Sequence, residues 1–429
     1  MRTLVLGSLL ALLLVAPSPA VAKDEDTKRA KVTDRERDEA ILRGIRYLDD
    51  TVMGLPDVQG TPTKQFTVAV TGLVKLLAAD RGSSSSGKAD TLKRARAFVA
   101  RYVARVAEDV KDPKRLPATQ GQFSSDRLIQ YTWPVAMAGV FFGELHARGK
   151  HTGEAKRVLK DVRTILRAAQ HENGGWGHHQ TGGTAPTRPM IKGLKGMGGY
   201  PDTLLCTTWV VAASLALLEG TGAKELPEHL SKAVAYFRTA QLDNGNYPYD
   251  PSQRSAHRSM TGVSRAAGSC FALWAMGMPW RAKPMKLSLD FVDDNFDYLN
   301  EGHGSSTLNL LYGALLQKVR GPKHWKRFKA RYFRPIVDGQ AEDGSFVCIC
   351  EGKAFGATND TNPLSGKGKG VVKRAGNMDL LKRFTQGTKT AYVSSIHVLI
   401  LLLDRTELKL LDGKRPKIPS GGAAPTTPR

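Results

Sequence analysis

Cysteine is scarce in this sequence, with four residues among 429. A small scaffold held by disulfides is therefore excluded, because such folds place several bridges in a short chain. Aromatic residues make up only 7% of the chain, and after residue 22 no apolar run is long enough to cross a bilayer. Acidic residues are outnumbered, 40 against 63 Lys and Arg, which leaves a net charge of +23. This excess indicates an anionic partner, unless the surface is basic throughout.

The first 22 residues have the pattern of a secretory signal peptide. Arg2 precedes an apolar run at residues 4–15, and Ala20-Val21-Ala22 supplies the small-x-small cleavage pattern. A retained anchor is disfavoured because the apolar run stops early. We therefore predict export to the periplasm or the extracellular space, with no transmembrane segment after cleavage. In that compartment an anionic partner is a glycan or a phospholipid surface rather than nucleic acid.

One motif occurs three times: a Gln, three residues, a Gly, one residue and an aromatic residue. The copies are Gln170/Gly174/Trp176, Gln241/Gly245/Tyr247 and Gln340/Gly344/Phe346. The Gly can take the left-handed conformation that ends a helix, and the Gln can bond backbone groups left unpaired at that end. The aromatic residue then packs beside the next helix pair. A repeat of this kind indicates an architecture of stacked, similar units.

The segments before and after these motifs differ in their apolar pattern. Those before have one apolar stripe at helical spacing, which predicts half-buried helices at 35–52, 90–109, 151–170, 227–241, 286–300 and 324–337. Those after are apolar on nearly all sides, which predicts buried helices at 66–79, 131–146, 202–220, 262–277, 305–317 and 390–404. Six alternating pairs can close into a ring. We therefore predict an all-α fold, an α/α toroid of about six helical hairpins at residues 37–411, with a flexible linker at 23–36 and a disordered tail at 412–429.

At these motifs the sequence resembles the squalene cyclases, the terpenoid cyclases and the protein prenyltransferase β-subunits. Their Gln-x3-Gly-x-Trp repeat lies at the turn between the outer and inner helices of an α/α barrel. Residues 170–176 match that repeat in full, and the copies ending in Tyr247 and Phe346 are aromatic variants. The resemblance covers residues 37 to 410 approximately and implies the toroid fold. It does not imply one activity, because the same fold hosts many.

The catalytic signatures of those families are missing. The sequence has no Asp-x-Asp-Asp cluster, no match to the prenyltransferase zinc pattern and no Cys-Gly-Glu-Gln thioester. Nucleophile elbows, phosphate loops and His-Glu-x-x-His strings are also missing. We therefore predict binding of a peptide, glycan or lipid in the toroid cavity or at its mouth, without cyclase chemistry, and assign no catalytic residue. The alternative is a divergent enzyme on this fold: an isoprenoid cyclase or transferase, or a polysaccharide lyase or glycosidase.

The predicted ring brings the turns into the buried helices to one mouth, where long Gly-rich insertions also lie. We expect an anionic small molecule, glycan or peptide to bind there. The candidate ligand-binding residues are Trp176, His178, His179, Asp202, Cys206, His257, Arg265, His303, Cys348 and Cys350. The alternative is that these are ordinary loop residues, with Asp202 capping its helix and Cys206 a small core residue.

Two patterns raise the question of a metal. His178 and His179, with Cys348 and Cys350, form a chemically sensible zinc set, but their spacing matches no zinc module, so no cofactor is predicted. The string at residues 293–297, Asp-Asp-Asn-Phe-Asp, matches a magnesium-diphosphate motif. It falls on a predicted outer helix, where we expect a solvated acidic face.

Overall fold

A computed structural model of the protein describes residues 31–55, 63–80, 90–111, 131–177, 205–219, 223–249, 262–300, 306–347, 349, 388–416 and 418. This part of the chain is all-α, as predicted, and contains thirteen α-helices and no strand. In chain order they are α1 (Asp34–Thr51), α2 (Thr63–Ala79), α3 (Asp90–Lys111), α4 (Thr132–Ala147), α5 (Thr152–Ala168), α6 (Leu205–Glu219), α7 (Glu228–Ala240), α8 (Val263–Ala275), α9 (Lys283–Asp294), α10 (Ser306–Val319), α11 (Pro322–Asp338), α12 (Thr388–Leu402) and α13 (Lys409–Asp412).

Burial alternates along the chain, and this confirms the twelve predicted helices. In α6 every residue from Leu205 to Leu217 is buried, as in a helix surrounded by protein. In α5 a single stripe is buried, whereas Lys156 and Lys160 on the opposite side are exposed. We call the even-numbered helices α2 to α12 the core helices and the odd-numbered helices α1 to α11 the surface helices.

The core helices contact one another in chain order, α2 with α4, α4 with α6, and so on to α12, which contacts α2. Each surface helix from α3 to α11 packs against the core helix that precedes it, and α1 packs against α12. The first surface helix and the last core helix therefore lie against each other.

The amino-terminal ends of neighbouring core helices lie side by side. The indole N–H of Trp133, at the start of α4, donates to Thr207 Oγ1, at the start of α6, over 3.0 Å. The rings of Phe66 in α2 and Tyr392 in α12 are 5.5 Å apart. We call the first turns of the six core helices the amino-terminal face.

At the opposite ends of the core helices, the segment that contains α13 closes a small cavity. All six core helices contribute to its mostly apolar wall, through Leu73, Met137, Leu217, Phe271, Leu311 and Leu399, and the closing segment contributes Leu408, Leu410 and Leu411. The cavity has a volume of about 30 Å³, which is room for about two water molecules. Side chains therefore fill the space between the core helices at this end.

The described helices run from Asp34 to Asp412. α1 begins at Asp34, inside the predicted linker, because Thr33 and Glu36 form a capping box that fixes its first turn. In the predicted tail, the Arg415 guanidinium lies 4.4 Å from the ring centre of Trp274, and Ile418 packs against the core. The signal peptide predicted at 1–22 lies outside the described residues. None of the helices in the described ranges has the length and apolarity needed to cross a bilayer.

Candidate functional site

The three motif turns have the same backbone geometry. Gly174, Gly245 and Gly344 have φ values of +87°, +83° and +87°, which confirms the predicted left-handed conformation. The residue before each Gly accepts a hydrogen bond from the backbone N–H two residues further along, at 2.9 to 3.1 Å; these acceptors are Asn173, Asn244 and Asp343. The motif therefore includes a fourth position, Asn or Asp, directly before the Gly.

The Gln and the Gly of each motif contact two backbone carbonyls that lie about one turn apart on the next surface helix. Gln170 Nε2 donates to the carbonyl of His229 in α7 over 2.7 Å, and a Cβ on Gly174 would overlap the carbonyl of Lys232, one turn further along that helix. The other copies repeat this arrangement, Gln241 and Gly245 with Pro284 and Leu287 of α9, and Gln340 and Gly344 with Ala40 and Arg43 of α1. The prediction that each Gln bonds the end of its own helix is therefore wrong. Each Gln instead donates a hydrogen bond to a backbone carbonyl of the following surface helix.

The aromatic residues of the motif are fully buried. The backbone N–H of Trp176 donates to Thr208 Oγ1 over 2.9 Å, and its indole N–H donates to the carbonyl of Leu166 over 2.7 Å. The backbone N–H of Phe346 donates to Ser394 Oγ in the same way, over 2.8 Å. These contacts give Trp176, a candidate ligand residue, a structural role.

Cys206 and Arg265, two further candidates, lie together at the amino-terminal face. Both are buried, and the Arg265 charge acts on the Cys206 thiol. Burial nevertheless raises the pKa of Cys206 to about 12 and lowers that of Arg265 to about 10. At neutral pH the thiol is therefore protonated and unreactive, whereas the guanidinium is charged. Its Nε donates to the carbonyl of Tyr247 over 2.8 Å, so that Arg265 also holds the second motif turn.

The other seven candidates lie outside the described residues, and the proposed zinc set lies there with them. They are His178, His179, Asp202, His257, His303, Cys348 and Cys350. Within the described ranges, no three His, Cys, Asp or Glu side chains are grouped to hold a metal ion.

The acidic string at residues 293–297 is partly solvated, as predicted: Asp294 and Asp297 are exposed, whereas Asp293 is half-buried. Arg320 binds both carboxylate oxygens of Asp293, at 2.7 and 2.6 Å, and Arg331 pairs with Asp297 at 2.9 Å. Surface helix α11 and its preceding turn supply these arginines, which are far from α9 in the sequence.

The amino-terminal face carries positive charge and hydroxyl groups. None of the first turns of the six core helices contains Asp or Glu. Lys64 and Arg265 lie in two of these turns, and Thr or Ser occurs in all six. Three aromatic side chains, Trp133, Tyr249 and Tyr392, are only partly buried there. Lys64, Trp133 and Tyr392 were missed from the sequence, although their position at predicted helix starts was a usable signal.

The two acidic residues of the core helices lie at the opposite, carboxyl-terminal ends. Glu144 accepts hydrogen bonds from the backbone N–H of Leu410 at 2.8 Å and from Arg148 Nε at 3.0 Å, and burial raises its pKa to about 7. Glu219 pairs with Arg167 at 2.8 Å. Neither carboxylate faces the amino-terminal face.

Compared with known protein families, the chain matches none.

Proposed function

We propose that this protein is an exported α/α toroid, related to the squalene-cyclase-type repeat proteins, that binds an organic ligand bearing an anionic group at its amino-terminal face. The ligand is a glycan, peptide or lipid, and it is bound without cyclase chemistry.

The packing of the helices supports the toroid. The core helices contact one another in a series that returns from α12 to α2, and the cavity between them has a wall from all six. The third motif copy supports closure independently, because Gln340 bonds the carbonyl of Ala40 in the first helix over 2.9 Å.

The size of the cavity supports binding at the face rather than in the centre. A volume of about 30 Å³ is far below the roughly 300 to 1,000 Å³ of pockets that bind small organic molecules. An isoprenoid chain would not fit there without displacement of the α13 segment.

The observation that carries the proposal is the charge of the amino-terminal face. Each helix amino terminus has a positive partial charge that attracts anions, and an acidic residue in the first turn would offset it. None of the six first turns contains an acidic residue, and Lys64 and the buried Arg265 add full positive charges. Partly buried Trp133 and Tyr392 supply flat apolar surface beside these charges.

The distribution of acids weighs against the cyclase alternative. Cyclisation by protonation needs a carboxylic acid that faces the substrate. The acids of the core helices, Glu144 and Glu219, lie at the far ends and are engaged by arginines. The described residues also provide no observation that favours a lyase or glycosidase.

Calorimetric titration with short anionic probes tests the proposal. The probes are trigalacturonate, decyl phosphate and a Glu-rich tripeptide, each compared with an uncharged counterpart. We expect saturable binding of at least one anionic probe, and a loss of about fivefold in affinity for Lys64→Gln. The exposed Lys224→Gln is the matched control and should bind as the unmodified protein does. Equal binding of charged and uncharged probes, or equal affinity of the two variants, would overturn the proposal.

A further inference from the structure

Positive charge is concentrated on two neighbouring surface helices, α3 and α5. Together they carry eleven Lys and Arg against five Asp and Glu. α11 is also strongly basic, but four of its six cations, Arg327, Lys329, Arg331 and Arg334, form ion pairs with acids of other segments. The charge of α11 is therefore largely used within the fold.

On α3 and α5, six cations are exposed and form no ion pair with any residue that the structure describes. They are Lys93, Arg101, Arg105, Lys156, Arg157 and Lys160, which we call the α3–α5 patch. The other cations of these helices have partners; Arg96, for example, pairs with Glu154 at 2.7 Å. None of the six patch cations is therefore neutralised by a direct ion pair within the described ranges.

The Arg96–Glu154 ion pair also sets the relative position of the two helices. It joins the early part of α3 to the first turn of α5, and the helices are in contact. Arg101 and Lys160 each follow about one and a half turns later, about 8 to 9 Å along their axes, so they lie at similar height. Lys93 and Arg105 are about 18 Å apart along α3, and adjacent helix axes are about 10 Å apart. The patch is therefore a ridge about 18 Å long on α3, and the α5 cations, Lys156 to Lys160, cover about 6 Å beside it.

We propose that this ridge docks a linear acidic polysaccharide. A flexible chain of regularly spaced carboxylates or sulfates can lie along the row of exposed cations on α3 and beside the cluster on α5, with no pocket required. The six patch residues are not part of the amino-terminal face, although Lys64 of that face lies 5.5 Å from the ring centre of Phe98 in α3. The proposal does not depend on the ligand proposed for that face.

Other polyanions fit the ridge less well. An anionic membrane is bound more firmly when apolar side chains insert into it, but the one large apolar side chain exposed in the described ranges is Val347, which is on neither helix. Sequence-specific binding of nucleic acid uses base edges, where Asn and Gln read adenine, and single strands stack on exposed aromatic rings. Neither helix contains Asn or Gln, and Phe98 and Tyr102 are not exposed.

The test separates this patch from the general positive charge of the protein. In one variant the six patch residues become Gln. In a matched control, six other exposed cations of the same kinds become Gln: Arg43, Arg46, Arg281, Lys224, Lys323 and Lys326. Binding of polygalacturonate to each protein is measured at low and moderate salt. Circular dichroism checks the fold, and variants limited to α3 or to α5 replace the full set if it misfolds.

We expect the patch variant to bind about sixtyfold more weakly, from roughly twofold for each charge lost, and to lose most of its salt dependence. The control should change far less. Equal losses in the two variants would overturn the proposal, because the binding would then come from net charge alone. The proposal would also be overturned if phosphatidylglycerol vesicles or duplex DNA bound more tightly than polygalacturonate and this binding depended on the patch. The tighter binder would then be the partner that the patch recognises. Neither result bears on Lys64, so the proposed ligand site stands or falls separately.

Discussion

Replacement of Gly344 with alanine tests the contact that joins the last motif turn to the first helix. Gly344 has a φ of +87°, and a Cβ there would lie 2.5 Å from the carbonyl oxygen of Arg43. The left-handed backbone costs alanine about 1 to 2 kcal/mol. The overlap with α1 must also push the turn away and break the hydrogen bond from Gln340 to Ala40, worth about 1 kcal/mol. We expect Gly344→Ala to lower the free energy of unfolding by about 3 kcal/mol.

Gly149→Ala is the control for this experiment. Gly149 also has a positive φ, +67°, but a Cβ there would meet no atom within 4 Å, so only the backbone cost of about 1 to 2 kcal/mol applies. Urea unfolding followed by circular dichroism measures both variants, and limited proteolysis of α1 reports whether the first helix detaches. Equal destabilisation by the two substitutions, without faster cleavage of α1, would refute the close approach of the turn to the first helix.

Two further predictions concern the carboxyl-terminal ends of the core helices. Burial raises the pKa of Glu144 to about 7 from its usual 4.5. The folded state therefore binds the carboxyl proton of Glu144 more tightly than the unfolded state does. The resulting stabilisation, up to about 3 kcal/mol, is present below pH 4.5 and is lost as the pH rises to 7. Thermal unfolding across that range should show this slope in the unmodified protein and not in Glu144→Gln; identical slopes would contradict the shift. Gly277 has a φ of +92°, and a Cβ there would overlap the carbonyl of Pro416, so we expect Gly277→Ala to release the chain end and cost roughly 2 to 3 kcal/mol. A red shift of Trp274 fluorescence would report this release, and an unchanged spectrum would count against it.

The helices and turns were largely predictable because their signals are local. Burial on one side or on all sides of a helix follows from the apolar period of its own residues, and the positive φ of Gly174 follows from its place after a helix. The partner of Gln170 was not predictable, because the carbonyl of His229 lies 59 residues away. The early start of α1 had a local signal in the sequence, the capping box of Thr33 and Glu36. The spacing of apolar residues does not show this signal.

The candidate site was only partly accessible from the sequence. Cys206 and Arg265 were named as candidates and do lie together, but their burial and the structural role of Trp176 depend on helices packed around them. Lys64 and Tyr392 belong to the same face, yet they are at opposite ends of the sequence. Their proximity depends on the contact between α2 and α12.

The sequence by itself determined that the chain forms alternating half-buried and buried helices with glycine turns between them, since side-chain spacing and backbone freedom are properties of short segments. Only the tertiary structure decided which helix each Gln binds and which charges are neutralised. Asp293 of α9 acquired an arginine partner, whereas six exposed cations of α3 and α5 form no ion pair within the part of the chain that the structure describes. Such pairings depend on distances between segments that are remote in the chain, and those distances exist only after the helices have packed.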